Sequence, residues 1–212
     1  TTACVNAAIP FLEEAGYEVL VFPATGTGGR TMESLIESGM VAGVLDVTTT
    51  EWADELVGGV LSAGSKRLES AGKAAVPAIV VPGCLDMVNF GERDSVSSEF
   101  SDRNLYVHNP QVTLMRTSPS ECHELGPVIA EKLSAYTAPV SVLIPQKAIS
   151  VISAVGQPFH DPKADEALFE SLTGALRDDI PVKWLDREIN DVEFAEACAK
   201  ALLKNITLAA SL

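Results

Sequence analysis

An open, mainly parallel, doubly wound α/β sheet with helices on both faces is the fold class this sequence predicts, and three observations predict it. Short apolar runs alternate with helix-period segments along the chain. Two of the runs, Ala78-Ile79-Val80-Val81 and Val140 to Ile144, are apolar throughout, as strands covered on both faces must be. Glycine or polar clusters follow most of the runs, where the loops at the carboxyl edge of a parallel sheet would lie. A chain of 212 residues with 47% hydrophobic content buries a substantial core and fits a single α/β domain over 1–212.

The elements follow in order. Residues 3–15 are amphipathic enough for a helix despite Pro10, and 18–22 read as a strand. A helix over 31–38 is closed by Gly39. Val44-Leu45-Asp46-Val47 is the next strand, and Glu51 to Val60 is helical behind a threonine cap. Lys66 to Lys73 forms a separate helix before the strand at Ala78. The polar stretch Gly91 to Asn104 reads as a mobile excursion or lid, and Leu105-Tyr106-Val107 as a further strand. Pro119 to Tyr136 is a long helix with proline in its first turn. After the strand at Val140 come a helix from Lys163 to Arg177, a strand from Val182 to Leu185, and a closing helix from Val192 to Asn205. The architecture is Rossmann-like with one oddity: it opens on a helix where such domains open on a strand, so the chain reads as part of something larger.

Charge and cysteine usage narrow the function classes. Lys and Arg number 15 against 29 Asp and Glu, a net charge of −14 that repels nucleic acid and anionic membrane surfaces. Lys66-Arg67 is the only adjacent basic pair. No apolar run approaches the roughly 20 residues of a membrane span, and the start lacks signal-peptide character, so a cytoplasmic location is expected. Cys4, Cys84, Cys122 and Cys198 show no Cys-x-x-Cys spacing, which argues for reduced thiols over disulfides or zinc.

The richest motif is Ala24-Thr25-Gly26-Thr27-Gly28-Gly29-Arg30, between an apolar run and a helix start. Exposed amides at such a turn, backed by a helix dipole, attract phosphate or carboxylate oxygens. The turn meets neither the P-loop pattern nor the dinucleotide pattern, and a tight connection explains it equally well. Further clusters follow other strands: Thr48-Thr49-Thr50-Glu51; Gly83-Cys84-Leu85-Asp86 with Asn89; His108-Asn109 leading to Arg116; and Pro145-Gln146-Lys147. On one sheet edge they would form a pocket, with Arg30, Arg116 and Lys147 as its cations. Each has a bland alternative: helix capping for the threonines, Asx turns for Asp86 and Asn89, a structural ion pair for Arg116. His108, His160 and Asp86 are the candidate catalytic groups, while His123 reads as a solvated helix residue. No metal-ligand spacing is legible.

The strings from Ala24 to Glu33, Gly43 to Glu51, Gly83 to Gly91 and His108 to Thr117, with Phe159-His160-Asp161-Pro162 and Ile189-Asn190-Asp191, carry a resemblance. The chain resembles the C-terminal half of the UPF0261 family, the Tm-1-like ATP-binding proteins, over nearly its whole length. The resemblance implies a two-part protein of consecutive α/β halves, a missing first strand before Thr1, an N-terminal half as partner, and ATP as ligand. Ile149 to Gly156 departs from the family pattern, which has an aspartate there, and this weakens any acid–base proposal resting on that loop.

Two functions follow. A ligand-binding domain would hold a nucleotide or another phosphorylated or carboxylated small molecule at the carboxyl edge of the sheet. An enzyme would use His108 or His160 as acid and base there, with Asp46, Glu51 or Asp86 as a carboxylate partner or magnesium ligand. A protein-interaction scaffold is a weaker third. A homodimer is expected by analogy with short α/β halves that bury an apolar face against a copy.

Overall fold

The computed structural model describes residues 1–211. Its helices are α1 (Thr2–Glu14), α2 (Thr27–Glu37), α3 (Glu51–Val57), α4 (Ser70–Lys73), α5 (Pro119–Ser134), α6 (Pro162–Ala175) and α7 (Val192–Ala209). Its strands are β1 (Val44–Thr48), β2 (Ala78–Gly83), β3 (Met87–Phe90), β4 (Leu105–Asn109), β5 (Val112–Arg116), β6 (Val140–Pro145) and β7 (Val182–Leu185). An open parallel sheet has the order β1-β2-β6-β7, and a small antiparallel sheet has the order β3-β5-β4. No helix among the described residues is long and apolar enough to cross a membrane.

Period-two alternation along the parallel strands builds a core on each face. Val80, Val142 and Ile144 point into one core with Leu125, Ile129 and Leu133 of α5 and Leu168 and Leu172 of α6. Ile79, Val81 and Leu143 point into the other with Cys4, Ala8 and Leu12 of α1 and Phe194, Cys198 and Leu202 of α7. Every residue of β2 is therefore buried, which is why its sequence carries no polar alternation. The helix starts are chemically marked. Ser118 and Glu121 form a reciprocal capping box ahead of α5, and the Asp161 carboxylate accepts from the Lys163 and Ala164 amides ahead of α6.

Five expectations are corrected. Residues 18–22 run extended but pair with no strand, and Leu20 and Val21 stand exposed. The helix placed at 31 begins at Thr27, inside the glycine turn, and the helix placed at 51–60 stops at Gly58, which adopts a left-handed φ of 97°. The strand at Leu105 belongs to the antiparallel sheet, so its following loop is a hairpin and not a carboxyl-edge loop of the parallel sheet. The polar stretch 91–104 is tied down: Phe100 packs on Phe90 with ring centroids 5.5 Å apart, and Arg103 pairs with Glu121 at 2.6 Å.

Candidate functional site

The glycine turn does form an anion cradle, but the protein's own carboxylate fills it. The Gly26 and Gly29 amides donate to Oε1 of Glu51 at 2.6 and 3.1 Å, and Arg67 Nε donates to Oε2 at 2.6 Å. Gly26, at φ 77°, can turn this sharply because it lacks a side chain. Arg67 is only 3% exposed and also pairs with Asp46 at 2.8 Å and Glu33 at 3.2 Å. Burial alone would weaken its charge, but Asp46 and Glu51 outweigh this and drive its pKa upward. Gly26, Gly29 and Glu51, expected as ligand contacts, are thus committed to one another. Thr25, Thr27 and Arg30 remain exposed on the outer rim, with Arg30 bonded to the Ser62 carbonyl at 2.9 Å.

The loop after β1 is likewise consumed internally. Thr48 donates to the Thr1 hydroxyl at 2.7 Å, Thr49 to the Val81 carbonyl at 3.1 Å, and Thr50 to the Met87 carbonyl at 3.3 Å. The Asn89 side-chain amide donates to Thr50 at 3.1 Å and to Asp54, whose carboxylate also takes the Asn89 and Leu61 backbone amides. Burial pushes the Asp54 carboxyl up to about 6 even so. Gly83 is a packing glycine, since a Cβ there would lie 2.0 Å from the Val47 carbonyl oxygen. Beside it Cys84 sits buried with a left-handed φ of 59°. Burial, helped by the Asp86 carboxylate, pushes its thiol up to about 12, far from a nucleophile's range.

Asp86 is fully buried, with Oδ2 accepting from the Ser150 hydroxyl at 2.7 Å and Oδ1 without a partner. Burial raises its carboxyl from 3.8 to about 6, with Arg116 pulling the other way. A carboxyl that binds its proton more tightly when folded stabilises the fold fully below about pH 4, and that contribution is lost as pH rises through about 6. By linkage the loss reaches roughly 3 kcal/mol at pH 7. Asp86→Asn keeps an oxygen for Ser150 and removes the titration. Its stability relative to the native chain is expected to rise by about that amount between pH 4 and pH 7. Urea denaturation of both proteins across this window checks it, because Asp54 titrates in both and cancels; a flat difference contradicts the raised value.

Arg116 is a staple and not a ligand-facing cation. Its guanidinium donates to the carbonyls of Phe159 and Asp161 at 2.9 and 3.1 Å, to Thr117 at 3.0 Å and to Asp165 at 2.6 Å, and it is 4% exposed. His108 and Asn109 stand exposed at the tip of the β4–β5 hairpin, where Asn109 accepts the Gln111 amide at 2.9 Å in an Asx turn. The register from Arg116 to Val112 puts that tip roughly 14 Å from the end of the small sheet that adjoins Asp86. The histidine–asparagine stretch therefore does not join the other clusters.

One open cleft, of about 590 Å³, does lie at the carboxyl ends of β6 and β7. Gln146 and Lys147 follow β6 into it, His160 and Glu166 approach from the start of α6, and Trp184 of β7 forms a wall. His160 Nδ1 sits 3.2 Å from the Ser153 carbonyl oxygen, which can only accept, so the ring keeps its proton there and presents Nε2 as an acceptor when neutral. Lys147 Nζ lies 3.3 Å from Asp186 across half-exposed surface, an ion pair that solvent weakens. Trp184 is 45% exposed and meets Phe169 edge-on at 5.9 Å. Of the residues expected from sequence, the structure brings Lys147 and His160 together here; Trp184 was missed, because a tryptophan in a strand reads as core. Among the described residues there is no group of three or more His, Cys, Asp or Glu suited to holding a metal ion.

Sequence comparison with known proteins identifies the family. Residues 1–206 match the family model described as Uncharacterised protein family (UPF0261) C-terminal domain. A UPF0261 protein of Clostridium tetani is 52% identical over 204 residues, covering 96% of this chain and 50% of that protein. A UPF0261 protein of Rhizobium meliloti is 45% identical over 203 residues, covering 95% of this chain and 51% of the relative. The ToMV resistance protein Tm-1(GCR237) of Solanum lycopersicum is 44% identical over 206 residues, covering 96% of this chain and 27% of that protein. The chain thus spans about half the length of the two bacterial relatives and about a quarter of the tomato protein, and it belongs to the UPF0261 family as its C-terminal α/β domain.

Proposed function

We propose that this domain binds a small anionic molecule, a nucleotide such as ATP or another phosphorylated or carboxylated compound, in the cleft beside Lys147 and His160. The observation that carries the reading is the convergence of a lysine, a histidine and an exposed tryptophan ring around about 590 Å³ at the sheet edge where open α/β folds place ligands. Lys147 supplies positive charge to an otherwise acidic molecule of net charge −14. Trp184 offers a flat apolar face for a base or other ring. Glu166 and Glu170 on the same rim are placed for ligand hydroxyls, or for a magnesium ion brought in by a triphosphate. The glycine turn is a poorer phosphate site, because a ligand entering it must expel the Glu51 carboxylate and strand Arg67.

A catalytic reading draws on one further observation. His160 has its Nδ1 fixed by the Ser153 carbonyl, an arrangement that leaves Nε2 as a general base toward anything in the cleft.

Thermal unfolding with ATP, ATP plus magnesium, sugar phosphates and short carboxylates tests the binding reading. At least one compound is expected to raise Tm, and Lys147→Ala is expected to weaken its binding about tenfold with the free protein's Tm unchanged. Ligands that shift Tm equally in Lys147→Ala and in native protein place the site elsewhere. Any hit assayed for turnover, with His160→Gln as control, separates binding from catalysis.

A further inference from the structure

The parallel sheet has a vacant strand position. A groove of about 460 Å³ runs between β1 and the unpaired extended segment 17–23, open along the free edge of β1. Its walls are helices on both sides: Ala8 and Leu12 of α1 with Leu202 and Ile206 of α7 on one face, Met32 and Ile36 of α2 on the other. Val44 donates its amide to Pro77 toward β2, so by alternation the N–H and C=O of Leu45 face the groove with no strand to bond. Beyond the gap Leu20 and Val21 are 58% and 56% exposed, although their sequence reads as buried strand.

The position of Thr1 indicates what fits there. Its hydroxyl accepts from Thr48 at the carboxyl end of β1, so Thr1 stands at the edge where a strand lying parallel to β1 would end. α1 then leads back to the start of segment 17–22, which runs to the glycine turn at that same edge. A strand ending at Thr1, then α1, then segment 17–22, is the ordinary β-α-β crossover that joins neighbouring parallel strands. The family domain is the C-terminal one, and the bacterial relatives at 50% and 51% coverage are about twice this length, so in a protein of their size polypeptide precedes Thr1.

We propose that the five or so residues leading into Thr1 in the full-length protein occupy this groove as a parallel strand, pairing with β1 on one side and recruiting segment 17–22 on the other. Helices cover both faces of the slot, so the occupant is an apolar run without polar alternation. The residue that ends it stands beside Thr48 and the glycine turn, and the N-terminal part of the protein thereby contributes directly to the carboxyl edge.

Amide hydrogen exchange by mass spectrometry tests this on three proteins: the 212-residue chain, the same chain extended by the eight native residues before Thr1, and the full-length protein. Peptides covering 17–24 and 43–48 are expected to exchange about tenfold or more slowly in both longer proteins, while peptides from α5 stay unchanged. Slowing that appears only in the full-length protein assigns the cover to another part of the N-terminal region and overturns the proposal. Equal exchange in all three overturns it too. So does protection in the 212-residue chain that grows with its concentration, which would mean that a second copy fills the slot.

Discussion

Replacing Arg67 with alanine is expected to cost about 5 kcal/mol, the upper end for breaking a buried ion pair and a large part of a domain's margin. The guanidinium pairs with Asp46, Glu51 and Glu33 at once, and it is 3% exposed. Without it the Glu51 side chain keeps its two glycine amides but loses its countercharge at 0% exposure, and Asp46 loses both of its bonds to Arg67. Glu33 suffers least, since the Leu68 and Ser70 amides still donate to it at 2.7 and 2.9 Å. Urea denaturation gives the result as a lower midpoint at similar slope. A triple variant, Arg67→Met with Asp46→Leu and Glu51→Gln, removes both signs of charge together and is expected to regain a good part of the loss. A single variant within about 1 kcal/mol of native stability would show that the cluster is well solvated and would remove the reason for calling the glycine cradle occupied.

The second large effect is expected at Gly28. A Cβ there would sit 1.8 Å from the Pro23 carbonyl oxygen, with the proline ring 3.2 Å away, so alanine must push backbone aside. That displacement acts on the turn that holds Glu51, and a cost of at least about 3 kcal/mol follows from overpacking. Gly174, inside α6 with nothing within 4 Å of its Cβ position, is the internal control. Gly174→Ala is expected to gain up to about 1 kcal/mol from helix propensity alone. Thermal melts of the two variants should therefore move in opposite directions, and a neutral Gly28→Ala would mean that the turn has slack the geometry does not show.

The layered sheet was legible because its signals are local. Val140 to Ile144 announces a doubly covered strand by composition, and Pro119 announces a helix start by its place in the first turn. The antiparallel sheet was not legible. β3 and β5 are short, their residues 87–90 and 113–116 are all buried, and so they lack the in–out alternation that marks a half-exposed hairpin. At the site, the sequence shows polar residue types, but their destinations depend on convergence across the chain. Glu51 meets Gly26, Gly29 and Arg67 only when the chain has folded, and the Lys66-Arg67 pair resembles ordinary surface charge. Arg116 shows the same effect, three of its four partners lying on the distant segment 159–165 and one being its neighbour Thr117.

The antiparallel excursion separates β2 from its spatial neighbour β6 in the chain, with α5 following it before β6 begins. Hairpin pairing between β4 and β5 closes in microseconds, whereas docking β6 onto β2 must first pay the loop-closure entropy of everything between them. Assembly of the central sheet thus closes a long loop, and the growing polypeptide has no complete hydrophobic interior until α6 and α7, which cover its two faces, have left the ribosome.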